Sequence, residues 1–310
     1  KIYNLDIVEP GTPLPTVKNY KPALGKGEEH AATFIYCDVR QPIELEKVNI
    51  TPDDVIFNFA AVHRTPGHPD PAYFETNIRG AENVCAFAER HGIRKIVFTS
   101  SIAPYGAAEE LKEETTLPMP NTPYGISKLV AEKIHQTWQA GGEGRQLTIV
   151  RPGVVFGRGE NGNFTRLYWG IRGHKFMYPG RKDTIKACIY VKELVRFMLY
   201  RLEHHDSGVE LYNCCYEPAY TIEHIVESMK RVTNMKVKVP FMPGWLIMTA
   251  AGIAGALGSP MGICPARVRK LQISTNICGK KLSASGYRFR YTFEEALADW
   301  YKDNGNLYLQ

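Results

Sequence analysis

The sequence predicts an α/β protein built on a doubly wound parallel sheet, with a smaller C-terminal lobe beside it. Two observations predict this class. Short apolar runs typical of buried strands alternate with longer helical patterns in the first half of the chain, which indicates a parallel sheet covered on both faces. Beyond residue 152 the alternation gives way to glycine-rich loops, short strands and isolated helices. We therefore divide the chain into a sheet domain over residues 1–152 and a second lobe over 153–310.

The predicted elements follow each other in a consistent order. Apolar runs predict strands over 1–7, 33–37, 54–61, 94–100 and 147–151, and helical patterns predict helices over 71–91 and 123–140. In the second lobe we expect a helix near 190–203, a strand at 209–213 and a helix at 221–232. The helix near 190–203 is expected to pack back on the sheet domain. Because ligands of open α/β sheets bind at the carboxyl ends of the strands, we expect the second lobe to close over that edge.

The composition narrows the classes of function. The formal charge is +6 over 310 residues, and the lysines and arginines are scattered along the chain. This pattern favours an anionic small molecule or an anionic membrane surface over nucleic acid. Seven cysteines without a CxxC pair indicate reduced thiols in a cytoplasmic protein. Nine histidines without HxxxH or HExxH spacing predict that no metal is bound.

The longest apolar stretch covers residues 244–258, "GWLIMTAAGIAGALG". It is shorter than the ~20 residues that a membrane-spanning helix needs. A buried helix in the C-terminal lobe is the preferred interpretation. The alternative is a membrane-facing role with Arg267, Arg269 and Lys270 close by, so membrane association of a cytoplasmic protein stays open.

A tyrosine and a lysine four residues apart open the predicted helix over 123–140. A proline at position 123 marks the helix start, and positions i and i+4 lie on one helix face, so Tyr124 and Lys128 are neighbours. The same spacing occurs at Tyr178 and Lys182, but a Pro-Gly pair between them argues against a helix there. Only the first pair is therefore expected to share a face.

Together with Ser101, this pair predicts a site for proton transfer. A protonated Lys128 close to Tyr124 would favour the phenolate and lower a pKa that is normally about 10. Tyr124 would then act as a general base, and Ser101 at the end of the strand over 94–100 would hydrogen-bond the same substrate oxygen. Such a set removes a proton from an alcohol or returns it to a ketone. That reaction needs a hydride acceptor, which no side chain can be, so a nicotinamide cofactor is implied.

Further motifs run in order along nearly the whole chain. They are "NLDI" with Asp6, "CDVRQP" with Asp38 and Val39, "NFAAVH" with Ala60 and Ala61, "ETNIRGAENV" with Asn77, "FTSSIAPYG" with Ser100, Ser101 and Tyr105, and "YGISK" with Tyr124 and Lys128. In this order and spacing the chain resembles an extended short-chain dehydrogenase/reductase of the sugar epimerase/dehydratase group. The resemblance implies a Rossmann-like sheet domain that binds NAD, a substrate-binding lobe, and a homodimer formed through the helices over 72–91 and 123–140.

The resemblance also implies where the cofactor lies. The residues expected around it are Asp6 at the ribose, Asp38 and Val39 at the adenine, and Ala60, Ala61, Asn77, Ser100, Tyr124 and Lys128 along the remainder. A carboxylate at Asp6 would repel a 2′-phosphate, which favours NAD over NADP. The family's phosphate-cradling glycine turn belongs before "NLDI", so we expect a strand–helix unit of about 25–35 residues to precede Lys1.

Three reactions are compatible with these residues: epimerisation, dehydration and reduction of a ketosugar. The neighbours of Ser101 help to choose between them. Dehydratases of the family place an acid beside the reacting hydroxyl, where this chain has Ile102 and Ala103, so a dehydratase is disfavoured. We predict NAD-dependent epimerisation, at C4 in the first instance, of a nucleotide-linked or other diphosphate-linked hexose or N-acetylhexosamine. A 4-ketosugar reductase is the alternative enzyme, and a cofactor-sensing binding module is the non-enzyme alternative.

The substrate lobe departs from the family pattern at two positions. Val154 stands where an asparagine usually meets the substrate, and Lys186 where an arginine is usual. We predict that Arg181 supplies the positive charge for a diphosphate and that Asn163 replaces the missing amide, with an exposed loop arginine as the alternative for the first. The segments "QLTIVRP" and "KFMYPG" resemble bacterial surface-polysaccharide enzymes, some of which act on sugars linked through a diphosphate to a polyprenyl lipid.

Overall fold

The computed structural model describes residues 1–9, 32–46, 48–63, 67–106, 108–206, 208–246, 249 and 272–310. The strands are β1 Ile2–Asp6, β2 Ala32–Tyr36, β3 Val55–Asn58, β4 Lys95–Thr99, β5 Ala108–Lys112, β6 Gln146–Pro152, β7 Val154–Phe156, β8 Tyr178–Pro179, β9 Ile185–Lys186, β10 Cys188–Tyr190, β11 Val209–Cys214, β12 Tyr220–Thr221, β13 Phe241–Met242 and β14 Thr275–Ile277. The helices are α1 Asp70–Arg90, α2 Pro123–Ala140, α3 Asn163–Arg172, α4 Val191–Glu203, α5 Ile222–Val232, α6 Lys280–Ala284 and α7 Phe293–Asp303. A 3₁₀ turn spans Ala103–Tyr105.

The central sheet has four strands in the order β11-β6-β4-β3, and all of its pairs are parallel. Successive side chains of β4 point to opposite faces, and both faces are apolar. Ile96 and Phe98 belong to the core cluster beneath α1 and α2, whereas Val97 lies in a second cluster with Phe197 of α4. Helices therefore cover both faces of a parallel sheet, and the predicted fold class is confirmed.

A second parallel pair, β1 with β2, packs against the same helix α1. The amide of Asn83 donates a hydrogen bond to the carbonyl oxygen of Val39 at 2.8 Å, and Arg90 donates to the carbonyl oxygen of Ile43 at 2.7 Å. Gly80 allows this close approach, because a Cβ atom there would lie 2.9 Å from the Val39 side chain. Helix α1 thus fixes the loop after β2 relative to the central sheet.

The C-terminal part has its own core, which is dominated by aromatic rings. Phe156 contacts Phe164, Phe293 and Trp300, with ring centroids between 4.9 and 6.1 Å apart. A small mixed sheet in the order β12-β9-β14-β5 joins the two halves, because β5 follows β4 and the Ser101 segment while β14 belongs to the C-terminal part. Residues on both sides of the predicted boundary at 152 therefore share one sheet near the candidate site.

Within the described ranges, no helix combines the length and the apolar character that crossing a bilayer requires. Most of the predicted apolar segment over 244–258, and the three basic residues after it, lie outside the described residues. Six cysteines are described, and all six are free thiols.

Candidate functional site

The candidate site lies where the carboxyl end of β4 meets the first turn of α2. Helix α2 begins there because the Thr122 side chain accepts a hydrogen bond from the Gly125 amide at 3.1 Å and Pro123 occupies the first helical position. Gly125 then lets the helix approach the 3₁₀ turn, since a Cβ atom would lie 2.7 Å from the Ala103 carbonyl oxygen. The strand end and the helix start are thereby held in contact.

Ser101 and Tyr124 meet at this contact. The Oγ atom of Ser101 accepts a hydrogen bond from the Ala103 amide at 3.1 Å, which orients the hydroxyl group. Burial raises the pKa of Tyr124, and the hydrogen bond with the Ser101 side chain opposes this rise. The predicted proximity of these two hydroxyl groups is therefore present in the structure.

Lys128 is held by the strand. Its Nζ atom donates a hydrogen bond to the carbonyl oxygen of Thr99 at 2.7 Å and lies 4.2 Å from the centroid of the Phe98 ring. Only 1% of the residue is exposed, and burial lowers the Lys128 pKa to about 7, with the charge of Glu132 acting in the opposite direction.

One expectation from the sequence is corrected at this point. We expected Lys128 to lower the pKa of Tyr124, but the pKa of this phenol is raised, with burial as the largest cause. The physical reason is that the same burial that raises the pKa of the phenol also weakens the cation, and the ammonium group is directed to the Thr99 carbonyl. In this structure Tyr124 is a protonated acid that the Ser101 hydroxyl contacts.

The sequence did not identify two charged residues behind the site. The Oε1 atom of Glu132 accepts hydrogen bonds from the Ser100 hydroxyl at 2.5 Å and from Arg151 Nε at 2.8 Å. The side chains of Glu132 and Arg151 are 1% and 3% exposed. Glu132 lies four residues after Lys128, so the i, i+4 spacing that revealed Tyr124 and Lys128 also held the signal for this residue. Ser100, predicted to line the cofactor, directs its hydroxyl to this carboxylate.

The predicted adenosine end lies at the carboxyl ends of β1 and β2. Asp6 is exposed, and its Oδ1 atom accepts a hydrogen bond from the Val8 amide at 3.1 Å. Asp38 is bound by its neighbour, because Arg40 donates from Nε at 2.9 Å and from Nη2 at 2.6 Å. The hydrogen bonds from Arg40 hold the pKa of the Asp38 carboxyl below its usual value. Two carboxylates and one guanidinium therefore stand at this edge.

The small-residue turn after β3 is held from two sides. Asn77 of α1 accepts from the Val62 amide at 2.8 Å and donates to the Val62 carbonyl at 3.1 Å and to Ser127 Oγ at 2.8 Å. Asn58 accepts from the Ala60 amide at 3.2 Å, and its amide nitrogen lies 3.2 Å from Nε2 of His135. The predicted residues Ala60 and Ala61 therefore lie on a turn whose course side chains of α1 and α2 fix.

The residues present fit a nicotinamide dinucleotide. The exposed carboxylate at the end of β1 and the buried lysine that α2 holds against the end of β4 are groups suited to ribose hydroxyls, and the small residues after β3 leave room between them. In addition, the Oγ1 atom of Thr99 is buried and has no hydrogen-bond partner in the described part of the chain. A buried hydroxyl without a partner is a group that a bound cofactor can satisfy.

The two residues predicted for the substrate diphosphate have partners of their own. Arg181 pairs with Asp183 at 2.7 Å and with Glu109 of the β5 strand at 3.0 Å. The Oδ1 atom of Asn163 accepts from Arg166 on its own helix at 2.9 Å. The nearby Lys186 is partly buried, which lowers its pKa, and it donates to the Ile273 carbonyl at 2.8 Å. The roles of Arg181 and Asn163 stay predictions.

Comparison with known proteins identifies the family of the chain and supports its fold. The profile of the NAD dependent epimerase/dehydratase family matches residues 9–215. The chain is 32% identical to the N-acetyl-alpha-D-glucosaminyl-diphospho-ditrans,octacis-undecaprenol 4-epimerase of Escherichia coli O157:H7, over 84% of this chain and 80% of that protein. It is 24% identical to the GDP-6-deoxy-D-mannose reductase of Pseudomonas aeruginosa, over 61% of this chain and 66% of that protein.

A solved structure of similar fold is the UDP-N-acetylglucosamine 4-epimerase from Methanobrevibacter ruminantium M1. It superposes with a TM-score of 0.68 and 21% sequence identity, covering 89% of this chain and 83% of that one. This likeness supports the fold class derived above from the sheet order.

Proposed function

Because the chain belongs to the NAD dependent epimerase/dehydratase family, we propose that it interconverts the C4 epimers of a diphosphate-linked hexose or N-acetylhexosamine. The observation that carries the proposal is the contact of Ser101 with Tyr124 one helical turn from the buried Lys128. Two hydroxyl groups and one ammonium group beside a site for NAD are the set needed to oxidise a secondary alcohol and reduce the ketone again.

Asp6 at the end of β1 and Lys128, which α2 holds against the end of β4, would bind the cofactor. Asp6 would accept from the ribose hydroxyls and, as a carboxylate, would select NAD over NADP. Lys128 would donate to the second ribose while it keeps its bond to Thr99. When bound, NAD supplies the hydride acceptor and donor that the reaction needs.

The side chains would then move one proton. For this step Tyr124 would have to lose the proton that it carries in the structure, and its phenolate would then take the proton of the sugar O4 hydroxyl as the alcohol is oxidised to the 4-ketosugar. After the ketosugar rotates in the site, Tyr124 would return the proton to O4 as the ketone is reduced on its opposite face. The Ser101 hydroxyl would hydrogen-bond O4 throughout, and the Ala103 amide holds it in place for this role.

We further propose a substrate that carries its diphosphate on a polyprenyl lipid. The relative from Escherichia coli, with 80% of its length covered, is named for such a substrate. Near the C-terminal part, Phe241, Trp245 and Leu246 are 50%, 71% and 41% exposed, and the exposed Lys236 and Lys238 precede them. An aromatic and basic surface of this kind suits the interface of an anionic membrane.

Homodimer formation through α1 and α2 is the assembly that we propose. The two helices pack along each other, and Ile126 on α2 is 41% exposed. Light scattering of the purified protein would test this, and a monomer at working concentration would exclude it.

The reductase alternative keeps one supporting observation, the similarity to the Pseudomonas aeruginosa reductase. The two enzymes differ in cofactor use, because an epimerase recycles NAD whereas a reductase consumes one NADH per turnover. The binding-module alternative predicts no turnover at all, and that Tyr124→Phe leaves biological activity intact.

The deciding experiment follows the sugar directly. The protein is incubated with catalytic NAD and either UDP-N-acetylglucosamine or N-acetylglucosaminyl-diphospho-undecaprenol in deuterated water, and the released sugar is analysed by proton NMR. We expect conversion to the galacto epimer with no deuterium at C4, more rapid for the lipid-linked substrate and abolished by Tyr124→Phe. Conversion only of a 4-ketosugar, with stoichiometric NADH, would select the reductase.

A further inference from the structure

A buried ion pair lies behind the reacting side chains, and no step proposed so far uses it. Glu132 Oε2 accepts from Arg151 Nη2 at 2.5 Å, while Oε1 accepts from Arg151 Nε and from the Ser100 hydroxyl. The pair joins α2 to the central strand β6 and to the residue after β4. A buried ion pair of this kind is weak support for stability, since apolar residues of similar volume often serve as well. Its presence beside Lys128 therefore points to a role in the site.

The same guanidinium also reaches the far side of Ser101. The Arg151 guanidinium carbon lies 4.6 Å from the centroid of the Tyr105 ring, and the Tyr105 hydroxyl donates to Asn213 Oδ1 at 2.8 Å. Tyr105 ends the 3₁₀ turn that begins two residues after Ser101. The segment that carries Ser101 is thus held at Ser100 by Glu132 and at Tyr105 by Arg151.

We propose that Glu132 and Arg151 are positioning residues of the reacting site, which fix the Ser100–Tyr105 segment against α2, and that the Glu132 carboxylate also keeps the Lys128 side chain a cation. The effect on turnover rests on the proposed function, whereas the effect on Lys128 does not. Tyr105, the tyrosine that ends the "SSIAPY" motif, thus packs around Arg151 and takes no part in proton transfer.

The charges around Lys128 support the second half of the proposal. On its own helix, Glu132 raises the Lys128 pKa, while His135 is neutral because burial lowers its pKa to about 4. Strand β4 presents the Thr99 carbonyl and the Phe98 ring, β6 presents Arg151, which Glu132 neutralises, and the protonated Tyr124 is one turn away. Among the described residues, Glu132 is thus the anion that acts on Lys128.

The test replaces both charges at once, because removing one would leave the other buried and unpaired. The variant is E132L/R151M, and its matched control is E210L/R201M, which removes the buried pair of Arg201 with Glu210, 3% and 7% exposed, on α4 and β11. Lysine Nζ groups labelled with ¹⁵N are titrated by NMR, and Lys128→Met assigns the signal. We expect the Lys128 titration to move down by ~1 unit or more in E132L/R151M and to stay unchanged in the control.

Turnover provides the second readout. In E132L/R151M the alkaline limb of the kcat/KM profile should move to lower pH by the same amount, and kcat should fall ~10-fold or more because Ser101 is misplaced. Ser100→Ala, which leaves the ion pair intact, should lower kcat without moving the Lys128 titration. If E132L/R151M does not fold, this variant decides, and an unchanged kcat overturns the positioning role.

An unchanged Lys128 titration in folded E132L/R151M overturns the charge role, whatever sugar the protein acts on. Because the titration needs no substrate, a protein that is inactive on every sugar tested leaves this result standing. The failure of the proposed function and the failure of this inference are therefore distinguishable.

Discussion

The ammonium group of Lys128 lies 2.7 Å from the main-chain carbonyl oxygen of Thr99, on a strand 29 residues earlier in the chain. This bond connects α2, which carries Tyr124, to the end of β4, two residues before Ser101. The lysine therefore has a mechanical role in addition to its charge: it holds the end of the strand at the helix while burial weakens its own proton affinity.

The burial of Lys128 predicts a stability that depends on pH. Its pKa falls from the usual value of 10.5 to about 7 in the folded protein, so between these values the unfolded chain binds more protons. The stabilising contribution is therefore present above about pH 10 and is lost as the pH falls towards 7. We expect the free energy of unfolding of the wild type, relative to Lys128→Met, to rise from pH 7 to pH 10. Urea unfolding at a series of pH values measures this difference, and parallel curves would contradict it.

The burial of His135 predicts a second dependence of stability on pH, in the acid range. The ring is buried, stacks on Phe98 at 4.1 Å and lies within hydrogen-bond distance of the Ala131 carbonyl and of Asn58, and burial lowers its pKa from 6.5 to about 4. Its neutral form contributes stability that is complete above about pH 6.5 and is lost as the pH falls through 4. We expect this acid-side slope to disappear in His135→Gln.

A matched histidine serves as the control. His204 makes the same contact with the carbonyl four residues earlier, at 2.9 Å, but it is exposed. His204→Gln should leave the slope of unfolding free energy against pH unchanged between pH 4 and 6.5. If both variants change the slope equally, burial of His135 is not the cause.

The sequence predicted the elements of the sheet domain well, because their signals are local. The β4 run "KIVFT" is apolar on both faces, and only a strand between two helical layers tolerates that pattern. Tyr124 and Lys128 were also predictable, since four residues along one helix fix their neighbourhood without tertiary information. Contacts that lie within one element could thus be derived from the chain alone.

The features of the site that could not be derived from the sequence depend on burial and on contacts between residues distant in the chain. Glu132 and Arg151 are 19 residues apart on different elements, and a glutamate within an amphipathic helix usually faces water. The direction of the Tyr124 pKa shift was predicted wrongly because the sequence shows the neighbouring lysine but not the desolvation that outweighs it. Asn77 was predicted at the cofactor, yet its bonds to Val62 and Ser127 appear only when α1 and α2 are packed.

The hydrogen bonds of Asn77 predict that its replacement lowers both the affinity for NAD and the stability of the protein. Asn77→Ala removes the three hydrogen bonds that fix the loop at Val62 and Ser127. We expect a loss of ~1–3 kcal/mol in unfolding free energy. We also expect NAD to bind at least several-fold more weakly, measured by calorimetric titration. Asn304→Ala is the control, because Asn304 donates to the Trp300 and Gln310 carbonyls at the C-terminal end. It should cost stability but leave the Kd of NAD unchanged.

Arg181 predicts a change in KM without a change in kcat. The arginine is shared between Asp183 and Glu109 and is 35% exposed, so removing it should affect stability by less than ~1 kcal/mol. If Arg181 binds the substrate diphosphate, Arg181→Gln raises KM, whereas Asp183→Asn lowers it by releasing the guanidinium. Steady-state kinetics at two ionic strengths measures both. Equal KM values in wild type and Arg181→Gln would assign the arginine to the surface ion pairs alone.

The close packing at Gly125 predicts that adding one methyl group there lowers the activity. In the structure a Cβ atom at this position would lie 2.7 Å from the Ala103 carbonyl oxygen and 3.1 Å from the Pro120 side chain. Gly125→Ala must therefore push the start of α2 away from the turn that follows Ser101, which separates the hydroxyl groups of Ser101 and Tyr124. Since a misplacement of ~1 Å can cost ~100-fold in rate, kcat should fall by at least ~10-fold. Overpacking should also cost ~1–3 kcal/mol of stability.

The control for this prediction is another helical glycine. At Gly170 of α3 the nearest atom to an added Cβ is the Phe176 Cβ at 3.4 Å, an ordinary contact. Gly170→Ala should therefore leave kcat unchanged and raise helix stability by up to ~1 kcal/mol. Turnover and thermal unfolding of the two variants separate the general effect of a helical alanine from the effect of distance at the site. Full activity in Gly125→Ala would show that the contact between Ser101 and Tyr124 does not limit the reaction.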